Sequence, residues 1–245
     1  MKPAPRPDHR ANRAADSPRP KVGVSACLLG HNVRYDGGDK RSRLVADSLA
    51  RRFDFVPVCP EVELGLGVPR EPINLVRRGR ETRLVGANSG RDHTRAMRAY
   101  ARRRLETLAR ESLAGYIFKS GSPSCGLTDV EVPAPGEGRG LFADAMVRSY
   151  SELPVAEETS LADPEIRRNF IQRATAYSRL NRFFASRWTA RGLAAFHAAN
   201  RARLIARSPE ACRALDRIVA RAAKIPRKAL HQAYLSGFMR AFAPR

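Results

Sequence analysis

Three cysteines, Cys27, Cys59 and Cys125, stand just beyond short β-like runs at 22–26, 53–58 and 115–119. In an open α/β sheet, the loops leaving the carboxyl ends of parallel strands share one crevice, and ligands bind there. Three cysteines far apart in sequence are thereby expected to meet at one point. Three thiolates leave a metal or cluster one open coordination position, which is the arrangement of a catalytic centre rather than a structural one. No pair is spaced CxxC, which argues against a zinc ribbon or a thioredoxin-like motif. Ligand type alone leaves zinc and iron–sulfur equally open.

The pattern around these loops predicts an α/β fold, a Rossmann-like open and mostly parallel sheet, followed by a small all-α domain. A short helix is expected over 44–52, a hairpin at 73–76 and 82–85, and a long basic helix over 92–113. Another helix is expected over 141–150 and a last strand at 153–156. From Asp163-Pro164 the strand signal ends. Pro164 suits a first helical turn with Asp163 as its cap. Helices are expected at 164–187, 190–207, 209–223 and 226–242, broken at Ser208-Pro209 and Ile225-Pro226. The expected units are a disordered tail at 1–20, an α/β domain at 21–158 and an all-α domain at 163–245.

The tail carries Pro, Arg, Ala and Asp without an apolar core segment, so it is not a secretory signal. No apolar run reaches the length of a membrane span. The chain is expected in the reducing cytoplasm, where four cysteines are not a disulfide framework. The net charge of +21 favours polyanions. Arginine greatly outnumbers lysine, however, alanine is abundant, and no basic block is interleaved with aromatics. This reads as the product of GC-rich coding, and charge alone does not establish nucleic-acid binding.

Glu61 lies two residues past Cys59, within reach of the same crevice as a general base or acid, or as the ion-pair partner of Arg70. Ser120, Ser122 and Ser124 suit the positioning of a substrate oxygen, or turn chemistry. Arg34, Asp36, Lys119 and Ser124 are candidate substrate-binding groups, with Asp36 alternatively a turn residue that orients Arg34. The cations Arg34, Arg70 and Lys119 are expected to lower the thiol pKa values. Cys212 lies mid-helix and reads as core.

Four segments, Val24-Ser-Ala-Cys-Leu-Leu-Gly30, Arg34-Tyr-Asp-Gly-Gly38, Cys59-Pro-Glu61 and Ser122-Pro-Ser-Cys-Gly126, resemble the bacterial thiouracil desulfidase family in sequence, order and spacing. The C-terminal helices look like a domain of unknown function that follows this module in longer bacterial relatives. The resemblance implies a [4Fe-4S] cluster held by Cys27, Cys59 and Cys125, with one iron free to take a thiocarbonyl sulfur. It implies water activated by Glu61 and a substrate or intermediate positioned by Ser120 or Ser122. The product is a carbonyl and sulfide, with no net redox change. The implied substrate is a small thiolated nucleobase or nucleotide, or thiolated RNA. Many relatives carry a further cysteine where this chain has Val33. Two other readings stay open: a non-enzymatic cluster or metal protein that binds RNA or senses redox state, and a zinc hydrolase on the same thiolates.

Overall fold

The computed structural model describes residues 18–243 except 80, 129 and 133–137. In chain order the strands are β1 (Lys21–Ser25), β2 (Asp54–Val58), β3 (Ile73–Arg78), β4 (Glu81–Gly86), β5 (Gly115–Phe118) and β6 (Val155–Glu157). The helices are α1 (Pro60–Glu63), α2 (Thr94–Arg110), α3 (Leu141–Ser149), α4 (Pro164–Ala185), α5 (Ala190–Arg207), α6 (Pro209–Ala220) and α7 (Arg227–Ala241). Strands β2-β1-β5-β6 form one sheet in that order, and each pairing is parallel. Strands β3 and β4 form a separate antiparallel hairpin.

Alternation along the short strands divides the core in two. Val22 and Val24 of β1 and Ile117 of β5 face one side, with Val45, Leu49 and Phe53. Tyr116 and Phe118 face the other, with α2, α3 and the hairpin residues Leu75 and Leu84. Met97, Tyr100, Ala101, Leu105 and Leu108 make the buried stripe of α2 at helical spacing, and its arginines take the remaining faces. Gly23 is required by a close approach, since a Cβ there would collide with the Tyr116 ring.

The helical region shares this core. The Asp163 side chain caps α4, accepting from the backbone N–H groups of Glu165 (2.6 Å) and Ile166 (3.3 Å). Phe170 and Ala174 of α4 then join the Val22 side of the sheet. The Phe170 ring meets Phe53 edge-on, with centroids 6.0 Å apart. Further along, Phe183, Phe184 and Trp188 pack with Phe196 of α5 and with Tyr234 of α7.

Several expectations are corrected. The tail was expected to reach residue 20; residues 1–17 lie outside the described ones, but Arg19 pairs with Asp54 at 2.7 Å and Pro20 accepts from the Asp54 N–H at 3.1 Å. The short helix expected over 44–52 is present but irregular, a π-helical turn over Leu44–Ser48 followed by a 3-10 turn over Leu49–Arg51. Val45 and Leu49, four residues apart, bury one face of it in the cluster that holds Val22 and Val24. The expected 209–223 helix stops at Ala220, and a 3-10 turn over Ala222–Lys224 follows. The break before α7 is local to Pro226, which holds Ile225 in extended geometry (ψ 132°).

Candidate active site

The chain leaves β1 toward β2 on one side and later returns to β5 on the other, so β1 and β5 flank a topological switch. Their outgoing loops diverge there and open a crevice. A cleft of about 420 Å³ fills it, and Cys27, Cys59 and Cys125 all line it. Each cysteine is fixed by the backbone of its own loop. Cys27 lies in a 3-10 turn closed by Gly30 in left-handed geometry (φ 93°), and its carbonyl accepts from the Lys40 N–H at 3.1 Å. Cys59 caps α1, with Pro60 in the first turn. Its N–H donates to Glu63 at 3.3 Å, and Glu63 is held in turn by the Tyr100 hydroxyl (2.8 Å) and Arg104 (2.9 Å).

The Cys125 loop sits on the start of α3. The carbonyl of Ser124 accepts from Phe142 (3.0 Å) and Ala143 (3.1 Å), which occupies N–H groups that a helix start otherwise leaves open. The Ser122 hydroxyl accepts from the N–H groups of Cys125 (3.1 Å) and Ser124 (3.3 Å). Ser122 lines the cleft while holding the Cys125 turn.

Glu61 is buried and lines the cleft, with Oε2 3.5 Å from the Cys59 sulfur. Its expected alternative partner is elsewhere: Arg70 donates to the carbonyls of Val33 and Gly67, each at 3.0 Å. The Val33 carbonyl also lies 3.7 Å from the Cys59 sulfur, so the position of the missing extra cysteine is part of the cleft wall.

Lys119, Ser120 and Arg34 line the cleft as well. Two of the four candidate substrate-binding residues do not. Asp36 is exposed and outside the lining; it accepts from the Gly38 N–H at 3.0 Å and holds Arg34 at 3.3 Å, so it shapes the turn. Ser124 is fully buried behind the Cys125 loop, beneath Gly140, where a Cβ would overlap its carbonyl.

Two further residues organise the site. Glu158, just past β6, accepts from Lys119 Nζ (2.7 Å), the Ser120 N–H (2.7 Å) and the Ser120 hydroxyl (2.8 Å). Ser25, at the end of β1, accepts from the Lys119 N–H at 3.0 Å, and its hydroxyl also bonds the Cys125 thiol. The signal for Glu158 was its place at the carboxyl end of the last strand, beside Glu157. Nothing in the local sequence distinguishes Ser25 from an ordinary small residue in a buried strand.

The thiol environment reverses the expected effect of the cations. Burial, and then the Glu61 carboxylate, push Cys27 up to about 11 and Cys59 up to about 12. Burial raises Cys125 well above the ordinary thiol range, again with Glu61 next. Lys119, Arg34 and Arg70 pull the other way and are outweighed. These are not self-activated nucleophiles. A cation bound beside them would favour their thiolate forms.

The donor set suits a group larger than one ion. Cys27, Cys59 and Cys125 all line the same cleft, so the three thiols face one region. Among the described residues, the group of three or more donors lying within 4.8 Å of one another is His197, Cys212 and Asp216; the three cleft cysteines are spaced more widely. Sulfurs about 2.3 Å from one tetrahedral zinc stand only about 3.8 Å apart. Three thiols spaced more widely than that around a common cleft have room for a polynuclear cluster.

The sequence profile of the 2-thiouracil desulfurase family matches residues 22–158, which span the sheet and all three cysteine loops. The chain belongs to this family. Over 108 residues it is 32% identical to the uncharacterised protein YbbK of Bacillus subtilis (strain 168), covering 71% of that protein and 42% of this chain. It is also similar to the solved [4Fe-4S]-dependent thiouracil desulfidase TudS, at 33% identity and a TM-score of 0.48, over 61% of this chain and 96% of that one. The family match ends where the helical region begins. Among the described residues, no helix is long and apolar enough to cross a membrane.

Proposed function

We propose that this protein removes sulfur from the thiocarbonyl of a thiouracil-like base or thionucleoside, giving the carbonyl compound and sulfide, with a [4Fe-4S] cluster held by Cys27, Cys59 and Cys125. The observation that carries this reading is the meeting of three cysteines from three loops in one cleft, with the Glu61 carboxylate 3.5 Å from the Cys59 sulfur. Bound by three thiolates, such a cluster supplies a Lewis-acidic iron with an open position to a substrate sulfur.

The chain's own groups have definable parts in this reaction. Glu61 takes a proton from water as the water oxygen attacks the thiocarbonyl carbon. The C–S bond then breaks, and the sulfur leaves as sulfide; one water enters for each thiocarbonyl, so no electron donor or acceptor is needed. The Ser122 hydroxyl oxygen already accepts from two N–H groups, which leaves its proton to donate to a substrate oxygen. Ser120 is held by Glu158 at the cleft wall, where it positions the base. Lys119 and Arg34 supply positive charge near the carbonyl or thiocarbonyl as negative charge develops. Burial of Glu61 limits competing water.

The test is incubation of the anaerobically reconstituted protein with 2-thiouracil and with 4-thiouracil, with sulfide and uracil quantified together. Equal amounts of sulfide and uracil from either compound, without added reductant, support the proposal. A protein that carries the cluster and turns over neither compound refutes this substrate class. Uracil formation that requires stoichiometric reductant refutes the hydrolytic mechanism.

A further inference from the structure

We propose that His197 of α5 with Cys212 and Asp216 of α6 forms a second metal site, for a zinc-class divalent cation, in the helical region. Cys212 and Asp216 are four residues apart on one helix, so they share a face. The facing helix brings His197 to them, and one donor atom from each residue falls within a common 4.8 Å. Nitrogen, sulfur and oxygen at such spacing match a tetrahedral zinc environment, with water in the fourth position.

The surroundings have the features of a supported site. His197 Nε2 faces Asp216 at 2.8 Å, while its other nitrogen, Nδ1, lies 3.0 Å from the Tyr234 hydroxyl on α7. That second contact fixes the ring, as outer partners of ligating histidines do. Arg201 donates to both Asp216 oxygens, to Oδ2 at 3.3 Å and to Oδ1, which also faces His197, at 3.4 Å. His197 and Cys212 are buried, whereas the Asp216 side chain is 36% exposed and gives a route from solvent.

A hydrogen-bonded network alone explains the histidine, tyrosine and aspartate. Cys212 packs in the apolar core as its mid-helix place suggested, yet its sulfur also falls in the same 4.8 Å group as the histidine nitrogen and the aspartate oxygen. Cation binding completes the arrangement with balanced charge and protons. Cys212 loses its thiol proton to solvent. The single proton of the neutral imidazole resides on Nδ1, where the Tyr234 oxygen accepts it, and Nε2 gives its lone pair to the cation. Thiolate and carboxylate together neutralise a divalent ion, so no net charge is buried. The bound cation would clamp α5 to α6.

Cobalt(II) is the probe, added to the full chain with Cys27, Cys59 and Cys125 replaced by serine so that the cleft does not contribute. Far-ultraviolet circular dichroism verifies the fold. The expected result is one equivalent bound, with a thiolate-to-cobalt charge-transfer band and the visible bands of tetrahedral cobalt. Zinc should displace the cobalt and raise the melting temperature. Cys212→Ser in this background should abolish the charge-transfer band, and Asp216→Asn should weaken binding at least tenfold. Absence of a tetrahedral spectrum, or a spectrum unchanged by Cys212→Ser, overturns the proposal. If the triple variant does not fold, zinc stoichiometry of wild type against the single Cys212→Ser variant decides: the expected difference is one equivalent, and equal contents overturn the site. Neither result bears on desulfidation in the cleft.

Discussion

Replacing Glu158 by glutamine tests how the cleft is held together. Its carboxylate accepts from Lys119 Nζ, the Ser120 N–H and the Ser120 hydroxyl, all within 2.8 Å. The side chains of Lys119 and Glu158 are only 19% and 11% exposed, so solvent does little to soften the loss. A glutamine oxygen in the Oε1 position can still accept from Lys119 and the Ser120 hydroxyl. Its amide nitrogen then faces the Ser120 N–H, donor against donor. The opposite orientation sets the amide against the ammonium group. Either way one charge-assisted bond is lost, a destabilisation of about 2–3 kcal/mol. Urea unfolding reads this directly. Sulfide release should fall about 10–100-fold, because Ser120 and Lys119 are no longer held at the cleft wall. A variant within about 0.5 kcal/mol of wild type, with unchanged turnover, refutes the assignment of Glu158 as the anchor of this loop.

Other consequences follow from the same structure. Phe170→Ala opens the contact with Phe53 and should cost about 3–5 kcal/mol by thermal or chemical unfolding; a loss below about 1 kcal/mol would show that α4 is not part of the sheet's core. Ser25→Ala leaves the Lys119 N–H without its acceptor and should cost about 1–3 kcal/mol, with iron retention reduced because Cys125 loses its hydroxyl partner; full stability and full iron loading would contradict that role. The Thr94 hydroxyl and N–H, with Arg83, hold the Asp92 carboxyl well below the usual carboxylate range. Its folded pKa is depressed, so this stabilisation is complete above the unfolded value of about 3.9 and fades as pH falls toward the folded one. Asp92→Asn should therefore flatten part of the acid limb of the urea midpoint against pH, and an unchanged limb would count against it.

The sequence carried the frame because the strands are short, buried and followed at once by loops rich in glycine, proline and serine. Cys27 and Cys59 could be placed from strand ends alone. The position of Cys125 needed the third loop to fold back, which α3 accomplishes through the Ser124 carbonyl. Long-range pairings were not legible: Glu158 reaches Ser120 across 38 residues, and Ser25 reaches Lys119 across 94. The thiol pKa directions also depended on the fold, since sequence proximity to cations said nothing of burial or of Glu61. In the helical region the breaks at Ser208-Pro209 and Ile225-Pro226 were local and readable, because proline acts on its own neighbourhood. Sharing of one core between α4 and the sheet was not, because the contact of Phe170 with Phe53 spans more than a hundred residues.

The most direct test is anaerobic reconstitution of wild type beside the single variants Cys27→Ser, Cys59→Ser, Cys125→Ser and Cys212→Ser, with iron content and sulfide release from thiouracils measured on each. The account predicts about four irons per chain and turnover in wild type and in Cys212→Ser, with cluster loss or instability and no turnover in the other three. Full iron content and undiminished sulfide release in any of the three cleft variants would contradict it.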